Sequence, residues 1–218
     1  MHLEAQFRQF ILNEGITDAS HGLEHVLRVV AAARQIGREE NADLDVVIPA
    51  AWLHDCVLVE KNSSDRSIAS TLAAEKGKEY LQSIDYSAHL LDDIFHAIQA
   101  HSFSAGIPPR TLEARVVQDA DRLDALGAIG LARCLMTGER LGLPLYHAQD
   151  PFARNRPADD RRFVIDHFYV KLFTLTATMQ TAAGQREARQ RVQFLNKFLE
   201  QLATELPNEN PRSPSSEP

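Results

Sequence analysis

Residues 45–55 read Asp45-Val46-Val47-Ile48-Pro49-Ala50-Ala51-Trp52-Leu53-His54-Asp55. Ala50 to Leu53 are apolar nearly all round a helical projection, which marks a central helix surrounded by other helices. Asp45 is placed to cap it, and Pro49 falls early enough in the helix to be tolerated. Outward from this stretch, apolar residues recur at helical spacing and no convincing run alternates apolar with polar residues over strand length. An all-α fold is therefore expected: one helical bundle over residues 1–205 and a tail, 206–218, whose Pro, Ser, Asn and Glu cannot join a core and which is expected to be disordered.

The neighbouring helices follow from the same periodicity. One spans Leu3 to Asn13 and ends near Gly15. The next, capped by Asp18 or Ser20, runs to about Arg38 with Val26, Val29, Ala33 and Ile36 on its apolar stripe. Further helices are predicted over Ser64 to Leu81, Ser87 to His101, Thr111 to about Met136, Arg161 to Leu172 and Gln185 to Glu205. Loops around Gly106-Ile107-Pro108-Pro109 and from Gly138 to Pro157 separate them, and the second is either a lid over a site or a plain surface excursion.

Composition narrows the function. A formal net charge of -7 argues against a broad basic surface for duplex DNA or an anionic membrane. No apolar run is long enough to span a bilayer and no secretory leader is evident, so a cytoplasmic location is expected. Cys56 and Cys134 each sit in an apolar stretch, as buried free thiols do in a reducing compartment. A small anionic substrate fits this balance if a metal and a few basic residues gather locally.

The chemistry concentrates in three places. His54 and Asp55 end a buried helix, where unpaired polar groups cost several kcal/mol, on the order of 2–7; a metal satisfies both, as would a capping Asp with a hydrogen-bonded core His. On the preceding helix His21, His25, Arg28 and Ala32 form one face beside the apolar stripe. The stretch Gln118-Asp119-Ala120-Asp121-Arg122-Leu123-Asp124 carries three carboxylates among apolar residues. Asp121 and Asp124 share a helix face, whereas Asp119 points roughly 160° away from Asp121, so the acids have different tasks: one ligates metal, another fixes a ligand or an arginine.

With those residues in view, the chain resembles the HD-domain superfamily of metal-dependent phosphohydrolases. His25, the His54-Asp55 pair and Asp121 match its His...His-Asp...Asp pattern in order. Within it the chain looks like the bacterial YedJ/YpgQ-like branch, through His101-Ser102-Phe103-Ser104, Asp119-Ala120-Asp121-Arg122-Leu123-Asp124-Ala125-Leu126-Gly127, Asp150-Pro151-Phe152 and Asp166-His167-Phe168 with Lys171. The resemblance implies His25, His54, Asp55 and Asp121 as metal ligands, with Asp119, Asp124 and His21 as supporting residues around them. It also implies hydrolysis of nucleoside triphosphates or related nucleotides of the pyrophosphohydrolase type; a nucleotide phosphomonoesterase or phosphodiesterase, or a non-catalytic metal- or nucleotide-binding module, is the alternative. One departure stands out. The acids that closely follow the His-Asp pair in several relatives are replaced by Cys56, Val57, Leu58 and Val59, and Glu60 is a weak substitute.

Two imidazoles and two carboxylates suit one divalent ion of the Mn, Fe, Co, Ni or Mg type with water in open positions. Arg28, Lys61 and Arg122 are the basic residues positioned to clamp phosphate, with Arg28 alternatively pairing to Asp119 or Asp124. His101 is expected to face the site as proton donor or phosphate contact, and His96, five residues earlier, to lie on a different face. Lys171 is placed to close the far side of the substrate pocket. Asp55, Lys61, His101 and Arg122 form the expected catalytic group, acting on a small phosphorylated substrate. Base preference, metal identity and oligomeric state leave no trace in the sequence.

Overall fold

The computed structural model describes residues 3–15, 22–57, 59, 67–102 and 105–207. The helices among them are α1 (Leu3–Asn13), α2 (Leu23–Glu40), α3 (Leu44–Leu53), α4 (Ala69–Ser83), α5 (Leu91–His101), α6 (Leu112–Leu123), α7 (Gly127–Arg140) and α8 (Ala182–Glu205). No strand occurs among the described residues, as the all-α expectation requires. No helix there is long and apolar enough to cross a membrane. The segment expected to form the tail falls, from residue 208, outside the described residues, as do Asp18 and Ser20; the capping position expected for one of them is taken by Gly22, directly before α2, with no side-chain hydrogen bond.

Every residue of α3 from Val46 to Leu53 is buried. It packs against α2, α5 and α6, and these four close a ring in which α2 also meets α6 and α5 meets α6. Phe7 and Ile11 seat α1 on this core, α4 covers α5, and α8 lies against α6 and α7. Intrinsic propensity does not explain α3: three β-branched residues and a proline cost roughly 4–5 kcal/mol relative to alanine. Burial does. Val46, Val47, Ile48, Trp52 and Leu53 each gain about 1.5–3 kcal/mol on leaving water, which exceeds that cost.

Two details of α3 correct the sequence reading. The cap is Asp43, whose side chain accepts from the Asp45 backbone N–H at 2.9 Å, and Asp45 lies within the first turn. Pro49 sits mid-helix and cannot donate to the Asp45 carbonyl. The Tyr86 hydroxyl supplies that missing hydrogen bond at 2.6 Å, and burial beside Asp45 and Asp43 pushes the phenol up to about 12.

The single helix expected from Thr111 to Met136 is two. Thr111 caps α6 through its hydroxyl, but the chain leaves helical geometry at an extended Leu126 and turns at Gly127, whose φ of +70° favours glycine. This break folds α7 back beside α8 and returns Arg133 to Asp124. The helix expected over Arg161 to Leu172 forms only in its second half: one helical step at Asp166 and His167 leads into a π turn, Phe168–Leu172, followed by a 3-10 segment, Phe173–Thr178. Phe168, Leu172 and Leu175 still share a buried face, which is the pattern that suggested a helix. The long loop, 141–167, is tied down. Val164 and Ile165 donate to the carbonyls of Pro144 and Leu145, and the buried Asp166 accepts from Arg156 and from the Asp159 backbone.

Candidate metal centre

The ring of helices brings the ends of several elements together. His25 is in the first turn of α2, His54 and Asp55 directly follow α3, His101 is the last residue of α5 and Asp121 lies in the last turn of α6. Three of these ends are C-termini, whose exposed carbonyls carry partial negative charge and favour a cation nearby. His25 Nε2 lies 3.2 Å from His54 Nε2, 3.4 Å from Asp121 Oδ1 and 3.6 Å from Asp55 Oδ2. His54 Nε2 lies 3.5 Å from Asp55 Oδ2 and 3.9 Å from Asp121 Oδ1. The other Asp55 oxygen is 3.5 Å from His101 Nε2.

Each imidazole is oriented from behind. His25 Nδ1 lies 2.8 Å from Asp124 Oδ2, His54 Nδ1 2.8 Å from the Ala51 carbonyl and His101 Nδ1 2.6 Å from the Ile98 carbonyl. A carbonyl or carboxylate oxygen only accepts, so each Nδ1 carries the proton. Three Nε2 atoms, each able to offer a lone pair, thus face one another and two carboxylates. Burial lowers the pKa of His25, but Asp121, Asp124 and Asp55 outweigh this and raise it to about 11. Burial instead lowers His54 to about 4, leaving it neutral. Burial opposes ionisation of Asp121, yet the His25 hydrogen bond and charge bring it to about 2.

These residues fit a divalent ion. Ligand atoms about 2.0–2.2 Å from one ion sit roughly 3.0–3.5 Å apart as neighbours, and the separations above run from within that range to slightly beyond it. Two overlapping groups have their ligand atoms within 4.8 Å of one another, His25 with His54 and Asp121, and His54 with Asp55 and His101. Mixed imidazole and carboxylate donors suit a first-row divalent ion or magnesium.

The remaining sequence candidates divide. Asp124, buried to 3% exposure, holds His25 Nδ1 and accepts from Arg28 Nε at 2.6 Å and Nη2 at 3.0 Å, with Arg133 on the same carboxylate. Arg28 therefore pairs with Asp124, the alternative to phosphate contact. Asp119 is turned away from the cluster, as its helical offset requires. Its fully buried carboxylate accepts from the backbone of Gln180 and Thr181, both at 2.8 Å, and from the Thr181 hydroxyl at 2.7 Å. The cap of α8 takes the place of Arg28, for which Asp119 is one of two expected partners. Gly184 follows because a Cβ there would overlap the Asp119 carboxylate. Arg122 donates to the Thr178 carbonyl at 2.5 Å, and burial lowers its pKa. His96 accepts from the Arg110 backbone at 2.9 Å, away from the cluster. Lys171 is exposed and lines a separate cleft beside α7. His21 and Lys61 lie outside the described residues.

Arg133 is the residue that sequence reasoning missed. On a continuous helix, nine residues from Asp124, it would have no route back to that carboxylate. The glycine turn that reverses the chain was the available signal.

Comparison with known proteins agrees with this geometry. The HD domain family model matches residues 22–126, a span containing all the residues of the cluster. The chain is 32% identical over 200 residues to the protein YpgQ of Bacillus subtilis, covering 88% of each chain. The crystal structure of YpgQ in complex with ADP superposes with a TM-score of 0.73 at 30% identity, covering 94% of this chain and 95% of that one. An HD-superfamily hydrolase from Bacillus thuringiensis gives a TM-score of 0.69 at 29% identity, covering 93% and 97%. With helices, cluster and extended sequence likeness in agreement, the chain belongs to the HD-domain family.

Proposed function

We propose that this protein is a divalent-metal-dependent phosphohydrolase that cleaves nucleoside triphosphates or related nucleotides at a phosphoanhydride bond, releasing pyrophosphate. The observation that carries the reading is the convergence of His25, His54, Asp55 and Asp121, with each imidazole locked by its Nδ1–H so that Nε2 faces inward. Two buried imidazoles turned toward two half-buried carboxylates have no structural purpose that apolar residues would not serve better. The nucleotide is supported by the ADP bound to YpgQ.

In this reading His25, His54, Asp55 and Asp121 hold the ion, which supplies an activated water and stabilises charge on the phosphoryl oxygens. Asp124 keeps His25 in the ligating tautomer and is itself held by Arg28 and Arg133. Asp55 favours a proton on His101 Nε2 against the lowering effect of burial, so His101 can keep a proton at the cluster for a departing phosphate oxygen. The rest of the catalysis is positioning of the phosphoryl group.

The test is a panel of nucleoside tri-, di- and monophosphates and cyclic dinucleotides, each with Mn and with Mg. Triphosphate cleavage to monophosphate and pyrophosphate is expected. Orthophosphate as the first product points to a phosphomonoesterase-type reaction, cleavage confined to cyclic dinucleotides to a phosphodiesterase, and the absence of turnover on every substrate to a binding module.

A further inference from the structure

Gln118 stands on α6 one turn before Asp121, at an adjoining position of the same helix face, and only 3% of it is exposed. Its amide nitrogen donates to the Ala100 carbonyl of α5 at 2.7 Å. A carbonyl only accepts, so the amide has one orientation: nitrogen toward Ala100, oxygen away. That oxygen is buried and meets no donor among the described residues. Burying an unpaired amide oxygen costs at least as much as one neutral hydrogen bond returns. Gln118 is therefore a poor stabiliser of the fold, and an apolar side chain of the same length would pack there equally well.

What the bond supplies is position. The last four carbonyls of α5 have no partner within the helix, and side chains answer two of them. Ile98 receives the Nδ1–H of His101 at 2.6 Å, and Ala100 receives Gln118. His101 is the next residue. Its Nε2 lies 3.5 Å from Asp55 Oδ1, and its ring stands nearly perpendicular to that of His54, at 85° with centroids 4.9 Å apart. Apolar packing of α5 on α6 is non-directional; it holds the helices together without fixing the rotation of a terminal turn. A hydrogen bond from the neighbouring helix does fix it. One side chain thus ties the turn that ends in His101 to the helix that carries Asp121. Resting on the phosphohydrolase reading above, in which His101 Nε2 gives its proton to a departing phosphate oxygen, we propose that Gln118 is a positioning residue for that step. It acts through Ala100, holding the last turn of α5 so that the His101 imidazole keeps its place at the cluster.

The experiment compares full chains of wild type, Gln118→Met, His101→Ala and the double variant. Methionine has the length of glutamine and no donor, and no metal ligand is altered. The melting temperature of Gln118→Met should stay within a few degrees of wild type and its Mn affinity within twofold. Its kcat for nucleotide should fall at least tenfold with KM within twofold. The double variant should lose no more than His101→Ala alone, since a residue acting through His101 then has nothing to act on. A second readout needs no catalysis. Heteronuclear NMR of the chelated protein follows exchange of the imidazole Nδ1 protons, and in Gln118→Met that of His101 should quicken at least tenfold while that of His54 stays within twofold. Losses that multiply in the double variant, a kcat within twofold of wild type, or His101 exchange within twofold of wild type each overturn the assignment. Should the methionine variant not fold, Gln118→Asn, whose amide falls one methylene short of Ala100, is held to the same outcomes. A wild-type protein that turns over no nucleotide removes the phosphohydrolase reading, and the exchange rates alone then decide whether Gln118 holds His101.

Discussion

Replacing Asp124 with asparagine keeps the shape of the side chain and removes its charge, and the structure makes the consequences specific. Wild-type Asp124 accepts from His25 Nδ1, from two nitrogens of Arg28 and from Arg133. An asparagine presents one oxygen and one NH2, so at least one of these donors meets another donor. Hydrogen bonds to charged groups contribute about 1.5–3 kcal/mol, and the loss of one such bond sets the expected destabilisation of the metal-free protein. For a chain of this size that is a fall in melting temperature of roughly 3–12 °C. The second effect is on the ion. With the acceptor behind Nδ1 weakened, His25 is free to place its proton on Nε2, and metal affinity should drop about 10- to 100-fold. Thermal melting with chelator and titration with Mn measure the two effects on the same samples. Mn affinity within twofold of wild type, beside a lowered melting temperature, would show that Asp124 is only a structural anchor and that His25 needs no support to ligate.

The same geometry makes further predictions. Asp121→Asn should lose bound metal and activity, whereas Asp119→Asn should keep its metal and lose about 1–3 kcal/mol of stability, because its partners are the α8 cap and not the cluster; metal analysis and denaturant melts of both separate the roles. Tyr86→Phe should cost about 0.5–1.5 kcal/mol in urea unfolding by stranding the Asp45 carbonyl that Pro49 cannot serve, and an unchanged midpoint would show that water replaces the hydroxyl. Deleting residues 208–218 should shift the melting temperature by no more than about 2 °C, since that stretch has no large apolar residue to bury; a larger fall would show that it packs.

What was legible in the sequence was what depends on local pattern. The apolar stretch from Val46 to Leu53 announced a buried helix; His25, His54, Asp55 and Asp121, which the family resemblance singles out, come together in space because each stands at or beside the end of a helix that packs on the others. The opposition of Asp119 and Asp121 was equally readable, since it follows from the helical period alone. What failed depended on tertiary context. Between Thr111 and Met136 the apolar rhythm runs on through Gly127, where a φ of +70° breaks the helix and lets α7 pack against α8. The partner of Asp119 was missed for the same reason: Thr181 lies 62 residues along the chain and approaches only after that reversal. Local sequence alone does not separate Asp45 as a cap from Asp43, two positions earlier, whose side chain closes on the Asp45 N–H.

The central claim is that His25, His54, Asp55 and Asp121 bind a divalent ion on which nucleotide cleavage depends. The direct measurement is turnover of a nucleoside triphosphate by the purified chain before chelation, after chelation and after readdition of Mn, with bound metal counted at each stage. The expected course is about one ion per chain in the active protein, no turnover once it is removed, and recovery of turnover with the ion. Turnover that persists in the chelated, metal-free protein would contradict the account.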